Sequence, residues 1–236
     1  RFPYFVQAHG AHYIHGRALP FATGIAVSRQ DLDVFVFGGD GDAFSIGGNH
    51  FNHCARKNVN LTYCVMDNNV YGLTKKQTSP TSPIGFKSKT DMWGAIDKPI
   101  NPMQQAISAG ATFVARTTHT NPKHLLSMME AAMDHKGFAF IECLSECTEF
   151  YDGAFDSSNP RKGGEFKEIP EDHDPTDENA AYALAEELVP GYFGVYYQIS
   201  RPTKQDKEAE VNSKFLEKTK GMEDWEILQQ NFDKMK

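Results

Sequence analysis

Two short segments bring together oxygen-bearing side chains and small residues: Gly38-Gly39-Asp40-Gly41-Asp42 and Asp67-Asn68-Asn69-Val70-Tyr71-Gly72. In the first, glycines let the backbone approach an anion, and the N–H groups of a helix starting just beyond would face it. Mg²⁺ takes oxygen ligands in near-octahedral geometry, commonly one or two carboxylates completed by phosphate oxygens and water. Asp40 supplies a carboxylate, Asn68 an amide oxygen, and the carbonyl of Val70 can turn toward the same ion. Two diphosphate oxygens and a water would fill the shell. A plainer reading makes both segments Asp- and Asn-rich turns. A dinucleotide loop is a third reading, but the last glycine of GxGxxG is not in place and only Asp67 offers an acid for a ribose.

These residues converge only if both segments follow neighbouring parallel strands, since open α/β sheets bind ligands outside the carboxyl ends of their strands. The apolar, β-branched run at 32–37 reads as a buried strand closed by a tight turn at Gly38-Gly39, and 61–66 as its neighbour. Between them, Phe44, Phe51, Cys54 and Ala55 recur at helical spacing over 43–57. Helices are predicted at 18–27, 102–109 and from Pro122 to a stop at Gly137, with strands at 112–116 and 138–144. This alternation predicts an α/β fold with a doubly wound, mostly parallel sheet. Residues 157–177 read as loop, 180–188 as a short helix and 194–197 as a short strand. From 204 to 236, Lys and Glu alternate with Phe215, Leu216, Trp225, Ile227, Leu228 and Phe232, which predicts a C-terminal helical extension beyond a domain at 1–203.

A formal charge of −7 without a basic stripe argues against nucleic acid as partner. No apolar run approaches the roughly 20 residues of a membrane span, and no leader resembles a secretory signal. Cys54, Cys64, Cys143 and Cys147 match neither a disulfide scaffold nor a paired zinc site, so the reading is a cytoplasmic protein. The opening Arg1-Phe2-Pro3-Tyr4-Phe5 looks like the interior of a longer chain. His9, His12 and His15 do not suggest a metal site, because Mg²⁺ prefers oxygen and no further ligand cluster follows.

Gly39-Asp40-Gly41 followed by Asn68-Asn69 resembles the thiamine diphosphate fingerprint. His15-Gly16-Arg17-Ala18, Ile46-Gly47-Gly48-Asn49-His50, Tyr71-Gly72-Leu73-Thr74-Lys75 and Ser79-Pro80-Thr81 narrow the resemblance to the β subunit of the 2-oxoacid:ferredoxin oxidoreductases, over residues 1–203. The resemblance implies decarboxylation of a 2-oxoacid on thiamine diphosphate, single-electron oxidation through a [4Fe–4S] cluster to ferredoxin, and acyl transfer to coenzyme A. It makes Asp40, Asn68 and Val70 the Mg²⁺ ligands, and it places Gly39, Gly41 and Asp42 along the diphosphate with Leu73 and Thr74 on its other side. His15 falls near the cofactor, where it would hydrogen-bond phosphate or the reacting carbonyl. Cys147 becomes one cluster ligand, the other three lying upstream of the segment that matches Arg1, while Cys54, Cys64 and Cys143 read as small buried hydrophobes. Lys75 and Arg1 are candidate cations for a second substrate carboxylate, which favours 2-oxoglutarate over pyruvate or a branched-chain 2-oxoacid. No glutamate stands where it would ionise the cofactor, so an α subunit carrying the pyrimidine-binding domain is implied, in an α₂β₂ assembly. A non-redox thiamine diphosphate decarboxylase or synthase is the competing enzyme, and a scaffold subunit the non-enzymatic alternative.

Overall fold

A computed structural model describes residues 4–188 and 191–235. Five strands form one sheet in the order β1-β2-β4-β3-β5: β1 is Phe35–Gly39, β2 Leu61–Asp67, β3 Phe113–Thr118, β4 Phe138–Leu144 and β5 Gly194–Gln198. The first four are parallel, and β5 runs antiparallel along β3 with a register shift at Val114/Ala115. Side chains alternate across a strand with a period of two, so Val36, Tyr63, Val65, Val114, Phe138, Phe140 and Tyr196 share one face. Four helices cover that face: α1 (Ala18–Ser28), α2 (Gly48–Lys57), α3 (Pro102–Ser108) and α5 (Glu178–Leu184). The opposite face presents Cys64, Phe113, Ala115, Ala139, Ile141 and Cys143 to α4 (Pro122–Asp134). Helices on both faces of a mostly parallel sheet are the doubly wound architecture expected from the alternation of elements.

Two expectations near the site need correction. The glycine pair does not turn the chain: Gly38 and Gly39 belong to β1 and pair with Val65 and Met66. Glycine is needed at Gly38 because a Cβ there would meet the Tyr63 hydroxyl at 2.5 Å. The single helix expected over 43–57 is broken into a π-helical turn at Asp42–Ile46 and α2, with Gly47 at the break. A Cβ on Gly47 would lie 2.3 Å from the Asp42 carbonyl, so only glycine lets the wide turn close onto the helix. Wide turns of this kind concentrate at functional sites.

The amino ends of β3 and β4 are tied to the C-terminal segment through one side chain. Asn58 holds the left-handed position that ends α2 (φ 52°) and is buried. Its Oδ1 accepts from Thr112 Oγ1 and Phe138 N, and its Nδ2 donates to the carbonyl of Arg201. From there Thr203 caps α6 (Lys204–Lys218), and Gln205 binds the carbonyl of Ala26. Beyond that anchor α6 and α7 (Asp224–Asp233) leave Phe215, Leu216, Trp225 and Phe232 exposed. Among the described residues no helix is long and apolar enough to cross a membrane.

Candidate active site

Asp40 follows β1 directly and the 68–72 turn follows β2, and these strands are paired up to Gly39 and Met66. The sheet register therefore places the two oxygen-rich segments side by side. Asp40 is 3% exposed, and its carboxylate is faced by the backbone N–H of Asn68 and by the hydroxyls of Ser79 and Thr81. Thr81 Oγ1 lies 3.0 Å from Asp40 Oδ2 and 2.8 Å from Asp67 Oδ1, bridging two buried acids. One hydroxyl proton serves only one of them. Burial pushes the Asp67 carboxyl well up, and the charges of Asp40 and Glu142 push it further. Burial also raises Asp40, against the hydrogen bonds from Ser79 and Thr81. A cation beside Asp40 would offset that desolvation, which makes this corner better suited to a bound metal ion than to an empty acid pair. Asn68 Oδ1 accepts from the N–H of Val70 at 3.1 Å, tightening the turn, and the Val70 carbonyl accepts no hydrogen bond from the described residues. Carboxylate, amide oxygen and unpaired carbonyl are a donor set of the hard type that Mg²⁺ takes.

The anion-facing side is closed by Tyr71, whose hydroxyl donates to the Gly41 carbonyl at 3.1 Å. A Cβ on Gly41 would fall 2.1 Å from the Tyr71 ring, so only glycine admits the aromatic here. Asp42 turns its carboxylate to the chain upstream: Oδ1 accepts from Gly16 N at 2.6 Å and lies 2.9 Å from His15 Nδ1. That leaves Nε2 of the half-exposed His15 ring, 6.1 Å from the Tyr71 ring, as the nitrogen able to meet a ligand. The structure does not bring Leu73, Thr74 and Lys75 into an enclosed site. Leu73 is fully exposed, Thr74 and Lys75 are exposed, and Lys75 and Lys76 both take positive φ (68° and 70°) in an outward loop. Lys76 lies over the Phe86 ring at 5.4 Å. Arg1 lies outside the described residues.

Cys147 follows β4 and packs with Val70 and Phe86, its Sγ 3.3 Å from where a Cβ on Gly72 would stand. The turn that carries the Val70 carbonyl thus also cradles the thiol. Cys54, Cys64 and Cys143 are buried, and burial pushes the Cys54 and Cys64 thiols up to about 12 and Cys143 higher still. They remain protonated apolar fillers, while Cys147 is half-exposed. The segment after it is closely tied: Ser145 N donates to the Asp67 carbonyl, Tyr151 N to the Cys147 carbonyl, and Gly153 N to Glu146 Oε1. Lys162, on a short 3₁₀ turn, reaches Glu146 Oε1 at 3.1 Å and Asp156 Oδ1 at 2.7 Å. Burial alone would raise Glu146, but the Gly153 N–H and the Lys162 ammonium outweigh it and hold the carboxyl below its usual range.

Sequence reasoning passed over the structural roles of Asp67 and Thr81 and missed a buried ion pair beside them. Arg116 is wholly buried in β3, and its Nε donates to Glu142 Oε2 of β4 at 2.6 Å. Its Nη1 reaches the Glu187 carbonyl and the Tyr196 hydroxyl. The available signal was a charge at an inward position of each strand: Phe138, Phe140, Glu142 and Leu144 share a face. Asp67, Thr81 and Glu142 also line a cavity of about 310 Å³ closed by Pro83, Ile100 and Tyr151.

A doubly wound sheet with an acid and an amide turn at adjacent strand ends defines the diphosphate-binding domain of thiamine diphosphate enzymes. Consistent with this, the family model described as thiamine pyrophosphate enzyme, C-terminal TPP binding domain, matches residues 1–143. The chain is 48% identical over 157 residues to the 2-oxoglutarate oxidoreductase subunit KorB of Mycobacterium tuberculosis, covering 66% of this chain and 42% of that protein. It is 45% identical over 158 residues to the 2-oxoglutarate synthase subunit KorB of Methanocaldococcus jannaschii, covering 67% and 58%. A solved 2-oxoglutarate:ferredoxin oxidoreductase from Magnetococcus marinus, with 2-oxoglutarate, coenzyme A and succinyl-CoA bound, superposes with a TM-score of 0.87 at 40% identity. That match covers 97% of this chain and 77% of the other. The chain belongs to the β subunits of the 2-oxoacid:ferredoxin oxidoreductases. It spans about half the length of the curated relatives it matches.

Proposed function

We propose that this chain is the cofactor-binding subunit of an enzyme that oxidises 2-oxoglutarate. The reaction converts 2-oxoglutarate and coenzyme A to succinyl-CoA, CO₂, one proton and two electrons, the electrons leaving one at a time through a [4Fe–4S] cluster to ferredoxin. The observation that carries the reading is the shared 68–72 turn, which meets the Asp40 carboxylate through the Asn68 N–H and the Cys147 thiol at Gly72. Substrate choice is supported by the bound 2-oxoglutarate of the Magnetococcus relative.

In this reading residues 1–203 form the cofactor domain and 204–236 a helical extension. Asp40, the Asn68 side chain and the Val70 carbonyl hold Mg²⁺, and the backbone at Gly39, Gly41 and Asp42 faces the diphosphate. His15, fixed by Asp42, turns its second ring nitrogen toward a phosphate or the reacting carbonyl. Leu73 and Thr74 approach the cofactor, and Lys75 and Arg1 meet the distal carboxylate of the substrate. Because Leu73 is fully exposed here, these contacts are completed by the α subunit, in an α₂β₂ cytoplasmic enzyme. Bound thiamine diphosphate supplies the carbanion chemistry, and Cys147 supplies one thiolate to the cluster.

The purified complex, assayed with coenzyme A and a low-potential acceptor, is expected to prefer 2-oxoglutarate. A strong preference for pyruvate or a branched-chain 2-oxoacid would remove the assignment to 2-oxoglutarate. Activity without bound iron would point to a non-redox decarboxylase, and failure to bind thiamine diphosphate with Mg²⁺ would point to a scaffold. Thr81→Val removes the hydroxyl that orients Asp40, and should weaken Mg²⁺-dependent cofactor binding by about 10- to 100-fold, as loss of groups that orient metal ligands commonly does. Calorimetric titration of the cofactor measures it; unchanged affinity would show that Thr81 serves only the fold.

A further inference from the structure

We infer that Lys162 and Glu146 form a charge clamp that sets the reduction potential of the cluster bound at Cys147. The inference rests on Cys147 being a cluster ligand. Glu146 is the residue immediately before Cys147, and its carboxylate is 10% exposed. Around it the chain carries mainly negative charge: Glu149, Asp152 and Asp156 all fall within the same bend. Lys162 Nζ meets three of these acids at once, Glu146 at 3.1 Å, Asp156 at 2.7 Å and Asp152 at 4.0 Å. One cation therefore gathers Glu146 with acids of the bend that follows the thiol and neutralises part of their field.

An iron–sulfur cluster gains negative charge on reduction, so its potential falls with nearby anions and rises with nearby cations. Removing the Lys162 charge leaves Glu146, Asp152 and Asp156 uncompensated and should disfavour the reduced cluster. Removing the Glu146 charge does the opposite, because Lys162 is then balanced by less negative charge. Geometry and charge can be separated at Glu146. A glutamine there keeps an oxygen to accept the Gly153 N–H that closes the bend, so the backbone around Cys147 stays in place while the charge is lost. The two substitutions are expected to act in opposite directions, which a merely structural clamp would not produce. Loosening the bend would shift both variants the same way, or cost both of them iron.

The test uses the assembled holoenzyme, with iron content and an EPR-monitored redox titration of the cluster for each variant. Lys162→Met should shift the midpoint potential negative and Glu146→Gln should shift it positive, at full iron content. Lys162→Arg should restore the wild-type potential. Shifts of the same sign, or none, would overturn the inference. If Lys162→Met does not assemble, Glu146→Gln decides alone, and an unshifted or negative potential there overturns it. Cys147→Ser tests the underlying reading separately: it should lose iron or change the EPR signature, and a wild-type cluster in that variant would remove the ligand assignment.

Discussion

Asp40→Ala is expected to weaken Mg²⁺-dependent binding of thiamine diphosphate by more than about 100-fold, exceeding the loss typical of groups that only orient a metal ligand. Asp40 is the one carboxylate among the protein's proposed donors, the other two being neutral oxygens, so its loss removes the only full negative charge the protein offers to the ion. The variant should not unfold. In the absence of the ion Asp40 is buried beside a second acid, with one threonine hydroxyl between them, and deleting one member relieves repulsion. The thermal midpoint of the cofactor-free protein should therefore be unchanged or higher, while calorimetry shows binding lost. Asp40→Asn, which keeps the shape and a neutral oxygen, should fall between the two. Equal affinity in wild type and Asp40→Ala would exclude Asp40 as a ligand.

The second large effect concerns stability. Glu142→Ala strips the carboxylate from a guanidinium that is wholly buried and whose Nη2 already lacks a partner among the described residues. Breaking a buried pair from one side typically costs about 3–5 kcal/mol, because the remaining charge stays desolvated. In a chain of this size that corresponds to a fall of about 10 °C in the unfolding midpoint. The double variant Glu142→Leu with Arg116→Met, which replaces both charges with apolar volume, should recover most of the loss. A double variant as unstable as the single one would mean that the Tyr196 hydroxyl and the Glu187 carbonyl, left without Arg116, matter more than the pair. Urea unfolding of all three proteins distinguishes the cases.

How far the site could be read in advance depended on whether a residue's partners lie within a motif or across the sheet. Asp40, Asn68 and Val70 sit in local segments whose spacing suggests a metal-binding donor set, and the pairing of β1 with β2 sets those segments side by side. The strand Phe138–Leu144 was bounded correctly by its apolar run between Gly137 and Ser145. Gly38 and Gly39 misled because a glycine pair signals a turn, whereas here it makes room for the Tyr63 hydroxyl of the next strand. Arg116 and Glu142 needed the order of the sheet itself: β4 lies between β2 and β3, and only that order sets Arg116 beside Glu142, with Asp67 on the same face two residues further along β2. Leu73, Thr74 and Lys75 were expected at the cofactor and stand exposed in an outward loop, with Lys75 at positive φ.

The 68–72 turn carries a final consequence. Tyr71 reaches the Gly41 carbonyl, while Val70 packs beside Cys147 and a Cβ at Gly72 would meet the Cys147 sulfur at 3.3 Å. A side chain gained at Gly72 would press on the sulfur and be felt two residues back, at the carbonyl proposed as a ligand. If the proposed sites hold, the two are thus not free to drift apart over evolutionary time. Lineages that alter one would be expected to carry a matched change in the other, leaving paired substitutions as the trace of a common hinge.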